Sequence, residues 1–162
     1  MDWIALYTHF PRRKIPEPGP TVTYIAEMDE FYLFLNSGDS LTAHANNNSG
    51  DFVIDLPNIF KLQGRWECDL VELTFFPDFE TSTKRIYVCS GLTEDSCVMN
   101  TLISVLRSVD IFDEDMTYLI FHPPFYFDTK GDELRRLRVF IRDDQLRPCR
   151  FKNDCLFCTL HL

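Results

Sequence analysis

Residues 134–162, LRRLRVFIRDDQLRPCRFKNDCLFCTLHL, read as two alternating β-strands joined by a polar turn. In the first, Leu137, Val139 and Ile141 fall on one side and Arg136, Arg138 and Arg142 on the other. In the second, Leu156, Cys158, Leu160 and Leu162 share a face. Successive side chains of a strand point to opposite faces, so this pattern predicts a sheet with one dry and one wet side.

The same period recurs upstream. Residues 31–36, FYLFLN, place Phe31, Leu33 and Leu35 together, and 52–56, FVIDL, place Phe52, Ile54 and Leu56 together until Pro57 ends the run. The Asn-, Ser- and Gly-rich stretch between them predicts a loop. A long strand follows Gly64 and runs through residue 76. Its apolar set changes phase from Trp66, Cys68 and Leu70 to Val71, Leu73 and Phe75, which predicts a bulge at 70–71 or burial on both faces. Residues 84–89 and 116–121 are further strands, the latter stopped by His122-Pro123-Pro124. Between them, Val98, Leu102, Val105, Leu106 and Val109 fit helical spacing, which predicts a short helical turn leading into a strand. Asp143-Asp144-Gln145 reads as a hairpin turn.

These elements imply an all-β fold: an antiparallel β-sandwich, a single jelly roll of about eight strands with an extended N-terminal arm. Residues 1–28 form that Pro-rich arm and 29–162 the jelly-roll domain. Pro11, Pro16, Pro18 and Pro20 disfavour regular structure in the arm, which carries Trp3, Tyr7 and Phe10 and the basic run Arg12-Arg13-Lys14. Such a segment is disordered or docked on another surface, and these six residues are the candidate assembly arm. The basic run reads as a contact for nucleic acid or an acidic surface, or as a solubilising patch.

Composition narrows the function. The chain has 162 residues, enough for one well-filled core, with 45% hydrophobic residues and 15 Phe. A net charge of −9 argues against direct nucleic-acid binding by the body of the protein, since phosphate contacts need Lys and Arg, and favours protein partners. No apolar run is long enough for a signal peptide or a membrane span, so the six cysteines are expected to be free thiols in a reducing compartment. Asn47-Asn48-Ser49 then reads as a polar turn rather than a glycosylation acceptor.

Candidate chemistry is thin. Cys149, Cys155, Cys158 and His161 form the sharpest metal-ligand set. However, Cys155 and Cys158 stand three apart in an extended segment, which sends their side chains to opposite faces. A cupin-type metal site needs clustered His, whereas His9, His44, His122 and His161 are scattered. Asp113-Glu114-Asp115 and Asp143-Asp144 lack the spaced oxygens of a calcium loop. No nucleophile motif, phosphate loop or dinucleotide fingerprint is present. The expectation is a protein without enzymatic activity and without a cofactor.

The segment FYLFLNSGDSLTAHANNNSGDFVIDLPNIFKLQGRWECDLVELTFFP resembles the start of a domain of Polinton (Maverick) elements and the related adintoviruses. Phe31, Leu35, Ser37, Asn46, Asn47, Phe52, Leu56, Ile59, Leu62, Gly64, Trp66, Glu67, Leu70, Glu72 and Pro77 carry the likeness. Leu102, Leu106 and Arg107, then Pro124 and Tyr126, then Thr159, Leu160 and His161 extend it, so that it covers residues 31–162. Gln145-Leu146 and Cys149 depart from the pattern, and Leu162 stands where Phe and Arg would follow.

The resemblance implies a single jelly-roll minor capsid protein of the penton type. Such a protein closes capsid vertices as a homopentamer, contacts the major capsid protein and resides in virions assembled in the host cytoplasm or nucleus. A β-sandwich binding module, for virion attachment or as a host adaptor, is the alternative. A vertex protein should expose apolar patches on two flanks, and a binding module one aromatic-rich site.

Overall fold

The structure, a computed structural model, describes residues 30–78, 83–112 and 116–162. The strands are β1 (Tyr32–Asn36), β2 (Asp51–Lys61), β3 (Glu67–Pro77), β4 (Arg85–Ser90), β5 (Ser96–Val98), β6 (Thr101–Ile103), β7 (Val105–Asp110), β8 (Thr117–Ile120), β9 (Phe127–Asp128), β10 (Glu133–Asp143) and β11 (Phe151–His161). One helical turn, α1 (Ser37–Ser40), follows β1, capped by the Asn36 side chain accepting from the Gly38 N–H. All strand pairing is antiparallel, in the order β1-β11-β3-β8 in a first sheet and β2-β10-β4-β7 in a second. The short β9 adds to β3, and β5 and β6 form a separate hairpin.

The alternation read from the sequence is the burial pattern. Phe31, Leu33 and Leu35 of the first sheet and Leu137, Val139 and Ile141 of the second are buried in one cluster with Phe52, Phe75, Leu156 and Leu160. Each such side chain contributes roughly 1.5–3 kcal/mol by leaving water. Phe60 stacks on Phe31 at 5.2 Å and ties the second sheet to the first across the core. The phase change in β3 is a bulge. Thr159 pairs with Glu72 and Leu160 with Leu70, so Val71 is the extra residue, and burial moves from Cys68 and Leu70 to Leu73 and Phe75.

Three sequence readings need correction. Pro57 does not end its strand: β2 continues to Lys61. Its register against β10 jumps between Asp55 and Phe60, and Pro57 sits in that irregularity on an edge strand, where its missing N–H costs no ladder bond. Residues 96–103 hold no helical turn but the β5–β6 hairpin, because pairing of Ser96 with Ile103 and of Val98 with Thr101 satisfies the backbone that a helix would have used. Finally, the two C-terminal strands do not belong to one sheet. The turn at 143–147 closes a short hairpin, with Leu146 N–H donating to the Asp143 carbonyl and Cys149 N–H to that of Ile141. The chain then crosses, leaving β10 in the second sheet and β11 in the first.

The crossing is held by buried hydroxyls. In β11 the register slips between Phe151 and Leu156, and Asn153 takes a φ of 61°. Ser49 Oγ accepts from the Phe151 N–H at 3.2 Å and Ser37 Oγ from the Leu156 N–H at 2.8 Å. Donors flanking the slip are thereby satisfied inside the protein. Gly50 lies beside this crossing, and a Cβ there would collide with the Cys149 carbonyl. Gly91, by contrast, meets nothing closer than 4.0 Å. Gly50→Ala is therefore expected to lose about 1–3 kcal/mol by overpacking, and Gly91→Ala much less; urea unfolding of both variants checks this.

Candidate interaction surface

The two sheets present chemically opposite outer faces. On the second, charges neutralise each other across neighbouring strands. Arg138 Nη2 meets Asp51 Oδ2 at 2.7 Å, with Arg142 adding to the same carboxylate at 3.3 Å. Arg136 Nε meets Asp55 at 2.6 Å, and Arg85 Nε meets Asp110 at 2.6 Å. The guanidinium groups of Arg138 and Arg142 also lie over the Phe140 ring, at 4.8 and 5.0 Å. The exposed pairs Arg136–Asp55 and Arg85–Asp110 add little stability, but together with the half-buried Asp51 pairs they leave the face largely self-compensated.

The outer face of the first sheet is aromatic and aliphatic. Register places Phe34, Thr159, Glu72 and Ile120 in one cross-strand row and Asn36, Phe157, Thr74 and Tyr118 in the next. Ile120 is 65% exposed and Tyr118 56%, with Phe157 and Phe34 also open to solvent. Large apolar side chains in adjacent rows of a sheet mark an interaction surface more often than singly scattered ones do. Glu72 is the only carboxylate in these two rows, accepting from Thr159 Oγ1 at 3.0 Å and from Tyr118 Oη at 3.4 Å. A shallow groove of about 520 Å³ runs over this area between Phe34, Phe157, Glu72 and Asp39.

The aromatic character continues toward the start of β1. Tyr32 stacks on His161 with ring centroids 4.3 Å apart, and Tyr126 Oη lies 2.7 Å from His161 Nδ1. Nε2 of the same ring is 3.3 Å from Glu30 Oε2, an ion-pair distance without hydrogen-bond alignment. Glu30, Tyr126 and His161 border a polar cleft of about 540 Å³ that also reaches Arg65, Trp66 and Glu67. Burial raises the Tyr126 hydroxyl above its usual range, with Asp69 and other acidic neighbours adding to the effect, so it is not poised to ionise.

A buried ion pair shapes this end of the molecule. Arg107 of β7 donates through Nη2 to both oxygens of Asp69 in β3, at 3.0 and 3.3 Å, and Asp69 has no solvent exposure. The same nitrogen donates to the Pro123 carbonyl at 3.2 Å, and the guanidinium lies 5.1 Å from the Phe121 ring and 5.7 Å from that of Phe125. One cation thus joins the two sheets and fixes the loop that presents Phe125 and Tyr126. Burial outweighs Arg107 and the backbone N–H donors, so the Asp69 carboxyl lies above its usual range.

Five of the six cysteines are not activated as nucleophiles. Burial pushes the thiols of Cys89, Cys149 and Cys158 up to about 12 and raises Cys68 and Cys155 as well. Cys158 is in the core, whereas Cys155 is half-buried with its Sγ 3.3 Å from Asn36 Oδ1, so the Cys-x-x-Cys pair does not converge. Among the described residues, no three His, Cys, Asp or Glu side chains are grouped to hold a metal ion. Asn47 is occupied internally, donating to the Ser40 and Val53 carbonyls and accepting from the Val53 N–H. Among the described residues, no helix is long and apolar enough to cross a membrane.

Neither a known family model nor a curated protein matches this chain. The functional reading therefore rests on geometry and on the residue pattern.

The candidate arm residues Trp3, Tyr7, Phe10, Arg12, Arg13 and Lys14 lie outside the described residues. Among the residues carrying the family resemblance, Tyr126 and His161 meet at the cleft, Arg107 reaches Leu70's neighbour Asp69, and Glu72 sits within the apolar face. Sequence reading passed over Asp69, Tyr118, Ile120 and Phe157. A signal existed for three of them: FYLFLN, MTYLIF and LFCTLHL carry apolar residues on both strand phases.

Two expectations follow from the charges. Arg107→Met should lose about 3–5 kcal/mol at neutral pH by stranding the Asp69 carboxylate, and less in acid, where Asp69 takes up a proton. Equilibrium unfolding at two pH values measures this. Asp143 behaves oppositely. Burial would raise its carboxyl, but N–H donors from Arg147 and Gln145 and the Arg147 guanidinium hold it below the ordinary 3.8. Its contribution is present above that value and lost as pH falls through the lowered one. Asp143→Asn should therefore cost about 1–3 kcal/mol at pH 7 and little in strong acid, flattening the acid limb of the stability curve.

Proposed function

We propose that this chain is a structural assembly protein: a single jelly-roll minor capsid protein of penton type, from a Polinton- or adintovirus-type virus or element. The strand orders β1-β11-β3-β8 and β2-β10-β4-β7 support the jelly-roll reading, because they are the orders produced by winding a long antiparallel hairpin into two facing sheets. The observation that carries the function is the exposed apolar face of the first sheet, with Phe34, Tyr118, Ile120 and Phe157 in adjacent rows.

A closed ring of identical subunits uses a heterologous interface, in which one surface of each copy meets a different surface of the next. A second apolar surface is available on the β5–β6 hairpin, where Leu102 is 71% and Met99 60% exposed. In this reading the self-compensated charges of the second sheet keep that face in solvent. The chain acts by assembly rather than chemistry, as a homopentamer at capsid vertices beside the major capsid protein, within virions put together in the host cell.

A β-sandwich binding module is the second reading. It is favoured by the exposed apolar rows of one sheet face lying opposite a face rich in Arg–Asp ion pairs. The mass of the purified protein, alone and mixed with the cognate major coat protein, separates the two. A pentamer, or incorporation into coat-protein assemblies that Ile120→Asp abolishes, is the expected result. A strict monomer indifferent to the coat protein would sink the vertex reading.

A further inference from the structure

We propose that the apolar face of the first sheet is covered, in the unassembled protein, by the same chain's own N-terminal segment, residues 1–29. This goes beyond the capsid reading and does not rest on it. The first argument is where the chain enters the sheet. Phe31, Leu33 and Leu35 point into the core, so Glu30, Tyr32 and Phe34 share the outer face. Glu30 reaches His161 there, at 3.3 Å, with Tyr32 stacked on the same ring. Glu30, where the described chain begins, therefore stands at the outer side of the first sheet.

The second argument is complementarity. The groove over that face has apolar walls, Phe34 and Phe157, and two acidic groups, Glu72 and Asp39. The N-terminal segment pairs Trp3, Tyr7 and Phe10 with Arg12-Arg13-Lys14, the only three consecutive basic residues of a chain with net charge −9. Aromatic groups over the apolar rows and cations toward Glu72 and Asp39 would satisfy both halves of the groove. A second copy of the face would instead bring two Glu72 carboxylates together, which is unfavourable.

Reach is ample. Fifteen residues separate Lys14 from Glu30, about 50 Å when extended. The four strands of the sheet span only about 15 Å. A tether of this length holds the segment at roughly millimolar effective concentration, so modest contacts suffice.

The chain has two tryptophans, Trp3 and Trp66, so Trp66→Phe leaves Trp3 as the only reporter. The expected result is a blue-shifted Trp3 emission, several-fold protected from acrylamide, independent of protein concentration and lost on adding Ile120→Asp. Water-like Trp3 emission in the parent, or protection untouched by Ile120→Asp, overturns the proposal. Protection that appears only on raising the protein concentration also overturns it and assigns the face to another copy's segment. Should Trp66→Phe not fold, tryptic cleavage at Arg12–Lys14 in the unaltered chain serves instead. Cleavage should be slow in the parent and several-fold faster with Ile120→Asp, and equal rates in the two reject the proposal.

Discussion

Two sheets facing each other must each dry one side, and most of the architecture follows from that requirement. Phe31, Phe52, Phe75, Leu137, Ile141, Leu156 and Leu160 meet in a single cluster with almost no exposure. Where the chain bends or slips to keep that cluster closed, polar groups are supplied locally. Val71 bulges out of β3 so that both halves of the strand can face inward. Ser37 and Ser49 spend their hydroxyls on β11 where its register slips. The Asp69–Arg107 pair does the same at one edge, where a charged contact joins β3 to β7 and holds the Pro123 loop.

With the inner faces committed, what the molecule offers to others is written on the outer ones. The second sheet alternates arginine and aspartate so that its charges are consumed within the face. The first sheet carries aromatic and aliphatic side chains around one glutamate. An asymmetry of this kind directs association to one side of the sandwich without any change in the core. The proposed role in assembly draws on this asymmetry.

Much of this was legible before any coordinates. The period-two pattern located β1, β3, β4, β8, β10 and β11, and the phase change at Leu70–Val71 marked the bulge. Legibility failed where local and global demands diverge. Val98, Leu102 and Val105 match a helical period, but β5 and β6 satisfy one another's backbone instead. Pro57 reads as a strand end, yet an edge strand with an irregular register absorbs it. The contact surface was half visible, because strands apolar on both phases announce an apolar outer face without saying which rows meet.

Residue alternation alone determined that this chain builds strands with one greasy side, because side-chain direction along a strand is set by covalent geometry. Composition likewise set the acidic balance, and the strand-period pattern left no helix long enough to dominate the described fold. Only tertiary structure decided that β10 and β11, separated by a few residues, lie in opposite sheets. Likewise it alone brought Asp69 to Arg107 and aligned Phe34, Glu72 and Ile120 in one row. Strand order and register are settled by which faces can be buried together, and that energy belongs to pairs of segments far apart in the chain rather than to either one.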